Sequence, residues 1–336
     1  MRGNEFHFSQ MRLYYIVYIC DHHFSIAYGR PPLTRDYEEI TKSRDILSLP
    51  QATEDDARLV SQVELWSITS KVLETFGFDV ELSPTPSVVS RMRRFAIEYD
   101  TWRADWNDRF GRHVHVGNYP RKGVKLHVTF AKLYLCSHAF RGLAMNTAED
   151  RSTMDNLGTD VEDMATAAVY SAQNILETMV SDTEIQEHLN GLPLYFNTMI
   201  VFAVVFLFKI ATKFSHVINI DVDKTLRLLT SVENILESVT SNMSNRHLLT
   251  TVSKAIETLL NTVHESREAV FESTTACPGY VATPMRLPPW LESKPSTDNA
   301  EMTDMSWEPG SDFDWMAYDF LASDGTFVHD VQYRGD

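Results

Sequence analysis

The sequence predicts an all-α protein, on three observations. Apolar residues recur at intervals of three and four from residue 1 to about 270, the spacing of one helix face. No alternation of period two persists long enough to build a sheet. A wholly apolar run, Met199 to Phe208, has the all-round hydrophobicity of a buried central helix. The 336 residues permit one large domain or two ordinary ones, and a hydrophobic content of 43% suffices for a sizeable core.

Taken in order, the first helix carries Leu13, Ile16, Val17, Cys20, Phe24 and Ala27 on one face, expected to be its core face, and runs through Tyr28. Gly29 can take the left-handed conformation that ends helices, and Pro31 and Pro32 forbid continuation. A second helix over 55–78 follows Leu59, Val63, Trp66, Val72, Leu73 and Phe76. A third lies between Ser87 and Phe110, with Met92, Phe95, Tyr99, Trp102 and Trp106 at similar steps. The stretch "GRHVHVGNYPRKG" reads as a loop, after which a helix over 124–141 carries Leu126, Phe130, Leu133, Tyr134 and Phe140. Residues 160–181, the apolar helix and two amphipathic helices over 222–240 and 247–266 complete the set. Asp221 and Asp223 stand where an N-cap and a favourable helix-dipole contact are expected.

These elements are read as one domain, residues 1–271. The five prolines of 272–299 and the lack of a periodic apolar face make that stretch a linker. The tail, 300–336, has nine acidic residues and one basic one, so it carries -8 of the chain's -16. Aromatic residues interleave with its aspartates, as in "DFDWMAYDFL". A merely solvating tail has few aromatics. Trp307, Phe313, Trp315, Tyr318 and Phe320 are therefore expected to anchor a partner on which the tail folds.

Several functions are disfavoured by composition. A net charge of -16 opposes binding by phosphate neutralisation. Three widely spaced cysteines, Cys20, Cys136 and Cys277, suggest neither a disulfide framework nor a structural zinc site. The first residues lack the apolar core of a secretory signal. The ten-residue apolar run spans about 15 Å of helix, half of a hydrocarbon core of roughly 30 Å. A core helix is thus preferred to a membrane anchor near 195–214. No GxSxG, Walker or dinucleotide-binding glycine pattern occurs.

Two stretches look chemical. In "YICDHHFSIAYGRPP", Asp21, His22 and His23 resemble the motif of the DHH phosphoesterases, the basis for an alternative reading as a metal-dependent hydrolase. No aspartate precedes Asp21, however, and neighbouring residues on a helix point about 100° apart. The structural reading has the stretch as a helix stop in which Arg30 pairs with Asp21 or the terminal carbonyls. In the second, His113, His115 and His127 stand among Arg112, Arg121, Lys122 and Lys125, and a solvated loop is preferred to a metal site. An enzyme is not expected.

"YYIVYICDHHFSIAYGRPP" also resembles the most recognisable stretch of the fungal-specific transcription factor domain, the helical regulatory region of zinc-cluster regulators. Asp21, Ser25, Gly29, Arg30 and Pro31 occupy the positions of its motif. The resemblance covers roughly residues 10–270 and extends to the apolar helix and the acidic tail. It implies a nuclear regulator of transcription whose tail meets coactivator or mediator-type proteins, as a homo- or heterodimer, without a membrane. Such factors bind DNA through a six-cysteine, two-zinc cluster that this sequence lacks. The regulatory domain is accordingly expected to be N-terminally incomplete. DNA contact and zinc are expected only from an absent cluster or from a partner, and this chain is expected to hold no cofactor.

Overall fold

Charged, glycine and proline residues set the ends of the long helices and so decide which side chains face inward. The computed structural model describes residues 2–27, 30–77, 85–111, 117–141, 159–189, 194–215, 218, 220–241, 243, 249–250, 252–261 and 263. Regular structure among them is helical, with no strand. The chain divides into two compact units, Met1–Ile175 and Leu176–Asp336.

In the first unit, α1 (Arg2–Ala27) is followed by the single turn α2 (Glu38–Thr41) and a 3-10 turn (Ser43–Ser48). Then come α3 (Glu54–Phe76), α4 (Pro86–Arg109) and α5 (Tyr119–Ser137), ending in a 3-10 turn (His138–Phe140), and the start of α6 (Thr159–Ser181). α1 packs on α3, α3 on α4, and α4 on α5. α3 is capped at its start by Thr53 and Asp56, whose carboxylate accepts from the Thr53 N–H at 2.7 Å and hydroxyl at 2.8 Å. It ends at Gly77, which has φ +61°, a conformation costly for residues with a Cβ. Arg141 donates to the carbonyls of Phe76 and Gly77 at 2.6 and 2.7 Å, a cation where the helix dipole is negative. Pro86 and Pro120 sit in the first turns of α4 and α5, where a missing N–H costs nothing.

The aromatic residues of α4 bind it to α3. The Trp102 indole donates to the Ser61 carbonyl at 2.8 Å and the Trp106 indole to Glu64 at 2.9 Å. Glu64 also takes both ends of Arg44, whose guanidinium lies 5.2 Å from the Trp106 ring centroid. Tyr99, wholly buried, meets the Thr69 hydroxyl at 3.0 Å. The helix α5 starts at Tyr119, ahead of the expected 124, so residues 119–123 are helical where a loop was expected. His127 is buried, its Nδ1 donating to the Gly123 carbonyl at 2.7 Å. The cause is local: Pro120 starts the helix, and the histidine satisfies itself one turn back.

In the second unit, Gln186 of α7 (Thr183–His188) donates to the last carbonyls of α6, at 2.9 Å to Met179 and 2.8 Å to Val180. The helix α8 (Leu194–Lys209) continues into a π-helical segment (Ile210–Phe214). α9 (Val222–Thr240) packs against both and begins at Asp221, which accepts from the Lys224 N–H at 2.8 Å. The helical residues 249–250, 252–261 and 263 bury Leu249, Val252, Ile256, Leu259, Leu260 and Val263. Tyr195–Thr212 is long and apolar enough to cross a membrane, with mean hydropathy 1.8, yet 89% of it is buried within the protein. The surface that lipid would contact is spent on packing, which removes the support for an anchor near 195–214.

One expectation is reversed. Leu13, Ile16, Val17, Cys20 and Phe24 of α1 are exposed, while Phe8, Tyr15, Tyr18, Ile19, His22, Ser25 and Ile26 on the opposite side are buried. The polar atoms of Tyr15, Tyr18, His22 and Ser25 all find partners, so burying them leaves no bare donor or acceptor.

Candidate functional site

Polar side chains gather at the end of α1 and the segment 30–41. Asp21 accepts three hydrogen bonds through Oδ2, from the N–H groups of Leu33 and Thr34 at 2.7 Å and the Thr34 hydroxyl at 2.8 Å. The Arg30 guanidinium lies 3.7 Å from its other oxygen. Burial alone would raise the Asp21 pKa, but the bonds from Thr34 and Leu33 outweigh it and hold the carboxyl below the usual range. The Arg30 N–H donates to the Ser25 carbonyl at 3.0 Å, the five-residue span of a Schellman-type helix end. The Ser25 hydroxyl donates to the Arg30 carbonyl. Pro31 is exposed beside them, and Gly29 lies outside the described residues.

The tyrosines preceding the motif fasten the same segment. Tyr14 and Tyr15 donate to the carbonyls of Arg35 and Glu39 at 3.3 and 3.0 Å. Tyr18 donates to Asp36 at 2.5 Å, and Ser67 of α3 reaches the other Asp36 oxygen at 2.5 Å. Burial, then the Asp36 bond, raises the Tyr18 pKa far beyond any working pH, so it remains a donor.

His22 has both ring nitrogens occupied. Nδ1 lies 2.8 Å from the Tyr18 carbonyl and must donate, which leaves Nε2 to accept from the Ser70 hydroxyl at 2.5 Å. Burial lowers its pKa and keeps it neutral, against the opposing pull of the Tyr18 carbonyl and Asp21. A Ser–His contact resembles a nucleophile with its base. Here both side chains are in the core, at 7% and 1% exposure, and Nδ1 meets a backbone carbonyl in place of an orienting carboxylate. His23 turns to the Trp66 ring, centroids 4.9 Å apart at 65°, and burial pushes its pKa well down.

Asp21, His22 and His23 thus serve three separate partners, and no group of three metal-capable side chains occurs among the described residues. The hydrolase reading has no geometry behind it. Cys20 is exposed on α1 and Cys136 is buried on α5, so these two do not share a site. His113 and His115, Cys277, the linker, and the tail with Trp307, Phe313, Trp315, Tyr318 and Phe320 lie outside the described residues.

Ser70, Thr34 and Asp36 escaped the sequence reading, as did the bidentate pair of Arg12 and Asp56 at 2.6 and 2.7 Å, which ties α1 to the start of α3. For Ser70 and Asp56 no linear signal existed, since their partners lie 48 and 44 residues away. Thr34 and Asp36 had a weak one, the turn that Pro31 and Pro32 force back along α1.

What the arrangement does chemically is fasten a helix end to the segment that follows, with Asp21, His22 and Asp36 each committed to internal bonds. Comparison with known proteins shows that the chain is similar to a fungal transcriptional activator. Over 268 residues it is 31% identical to the transcriptional activator of proteases prtT of Emericella nidulans. The match takes in 77% of this chain and 39% of that protein, so the chain spans about two fifths of the length of this curated relative. No family model matches the chain. No solved structure matches it.

Proposed function

We propose that the chain is a nuclear, non-enzymatic regulator of transcription that works through protein contacts. The observation that carries this reading is the 31% identity over 268 residues to a protein named as a transcriptional activator. The interior supports it, because the histidines and carboxylates that could do chemistry are buried in structural bonds. On this reading residues 1–271 are the regulatory domain, 272–299 a linker, and 300–336 an acidic segment that recruits coactivator or mediator-type proteins. Its anchors are Trp307, Phe313, Trp315, Tyr318 and Phe320, aromatics able to fill an apolar groove while the aspartates keep them soluble in the free state. The three cysteines cannot furnish a six-cysteine cluster, so DNA is reached through a cluster outside this sequence or through a partner, and the chain itself carries no cofactor.

The test fuses the full chain to a neutral DNA-binding domain beside a reporter gene. Activation is expected, with loss on removal of 300–336 and on the paired change Trp315→Ala and Phe320→Ala. A silent full-length fusion overturns the activating role. Activity that survives removal of 300–336 moves the role out of the tail.

A further inference from the structure

The helix α5 shows solvent a surface of one sign. From Arg121 to Ser137 every residue is buried except Arg121, Lys122, Lys125, Thr129 and Lys132. Positions 122, 125, 129 and 132 follow at steps of three and four, and 121 adjoins them, so the five form one stripe along the helix. No Asp or Glu occurs from 119 to 141. The stripe belongs to a wider segregation of charge. Residues 86–141 hold eleven Lys and Arg against four Asp and Glu, a net +7 in a chain of -16.

Stability does not account for these cations. Positive charge is unfavourable at the N-terminal end of a helix, yet Arg121 and Lys122 stand in the first turn of α5 and Lys125 in the second. By contrast, α2, α3, α6, α7 and α9 all place acids in their first turns. Internal pairing offsets this only in part. Lys132 meets Asp100 of α4 at 2.7 Å, but the Arg121 guanidinium reaches only the Asn107 carbonyl, at 3.4 Å. Lys125 has no ion-pair partner among the described residues.

The shape of the row selects among anions. Its cations run in a line of about 16 Å at 1.5 Å per residue and do not converge on a point, which suits a linear polyanion better than a free phosphate. A DNA duplex is a stiff rod with one charge per roughly 1.7 Å of axis, so it would continue past the row and meet a chain whose acids outnumber its bases. A flexible acidic peptide confines its charges to the row, which five extended residues span at about 3.3 Å each. The tail of this chain is too dilute for that, with at most two acids in any five consecutive residues of 300–336.

We propose that the basic stripe of α5 is a docking surface for an acidic peptide segment of a partner protein, one dense enough to set three or more Asp or Glu within about five residues. The contact is independent of the aromatic anchors of the tail.

Fluorescence anisotropy of a fluorescein-labelled hexaglutamate peptide, titrated with the full chain at low ionic strength, tests this. Saturable binding is expected, weakened at least tenfold at about 0.15 M salt because the charges are exposed. A loss of at least tenfold is also expected for Arg121→Glu and for Lys125→Glu. Both side chains are exposed near the helix start, so the thermal midpoint of each variant is expected to hold or rise. Should either glutamate variant lose its fold, Arg121→Gln and Lys125→Gln carry the same reading with a smaller loss. A full chain that does not bind the peptide overturns the proposal, as does binding that survives both substitutions. Tighter binding of a short DNA duplex of arbitrary sequence, or of inorganic phosphate, lost in the same variants, also overturns it, and the stripe then belongs to nucleic acid or to a free anion.

Discussion

Asp21 illustrates how a residue that looks catalytic becomes structural. Three donors and a cation surround it, and each points it toward the segment following α1. Asp21→Asn removes the charge that those donors serve. A loss of about 1–2 kcal/mol in urea unfolding is expected, hydrogen bonds to charged groups being the stronger kind. No loss would show that the cluster is spectator to the fold. Histidine gives the second prediction at this scale. Burial pushes His127 down to about 4, and burial with the charge of Arg141 pushes His138 down to about 3, against an ordinary value near 6.5. Above 6.5 both are neutral whether folded or unfolded. As pH falls, the unfolded chain takes up protons that the folded one refuses, so stability drops from about pH 6.5 to about 4 for His127 and on to about 3 for His138. Unfolding midpoints at about pH 7 and about pH 5 read this directly, with a lower midpoint at the lower pH expected. Asp21 and Asp56, both held below the ordinary carboxylate value, add their losses as pH falls below about 4.

Helix α1 carries the main lesson at the scale of elements. Its apolar periodicity was legible, but its inward face was not, because periodicity counts Tyr, His and Ser as polar whatever their partners. Tyr18, His22 and Ser25 are buried because Asp36, Ser70 and the Arg30 carbonyl satisfy them. Ile19→Ala, on the buried face, is expected to cost about 2–4 kcal/mol, whereas Leu13→Ala stays within about 0.5 kcal/mol. Equal costs would reverse the assignment of faces. Arg12→Leu strands the Asp56 carboxylate, 3% exposed, and is expected to cost roughly 3 kcal/mol. The other helices were easier to read. In α5 and the 3-10 turn that ends it the marked residues Leu126, Phe130, Leu133, Tyr134 and Phe140 are all buried.

At the scale of the molecule, α8 decides between a core and a membrane. Phe206 and Leu207 are wholly buried, and residues on every side of the helix are covered. Phe206→Ser is expected to cost about 3–5 kcal/mol and to send the chain into aggregates during expression, as a core substitution does. A variant as stable as wild type would mean that this side chain faces no packed neighbour. The reporter fusion belongs to this scale too, because recruitment is a property of the whole chain.

The sequence by itself determined the helical class, since a period of three to four residues admits only one regular backbone. It also determined the helix start at Asp221 and the acidic, aromatic composition of residues 300–336. Those are local or compositional properties. Tertiary structure decided which face of α1 is inside, which partner each of Asp21, His22 and His23 meets, and that Ser70 and Asp56 complete the cluster. These depend on hydrogen bonds across 44 and 48 residues, and a buried polar group is tolerated only where such a distant partner arrives to satisfy it.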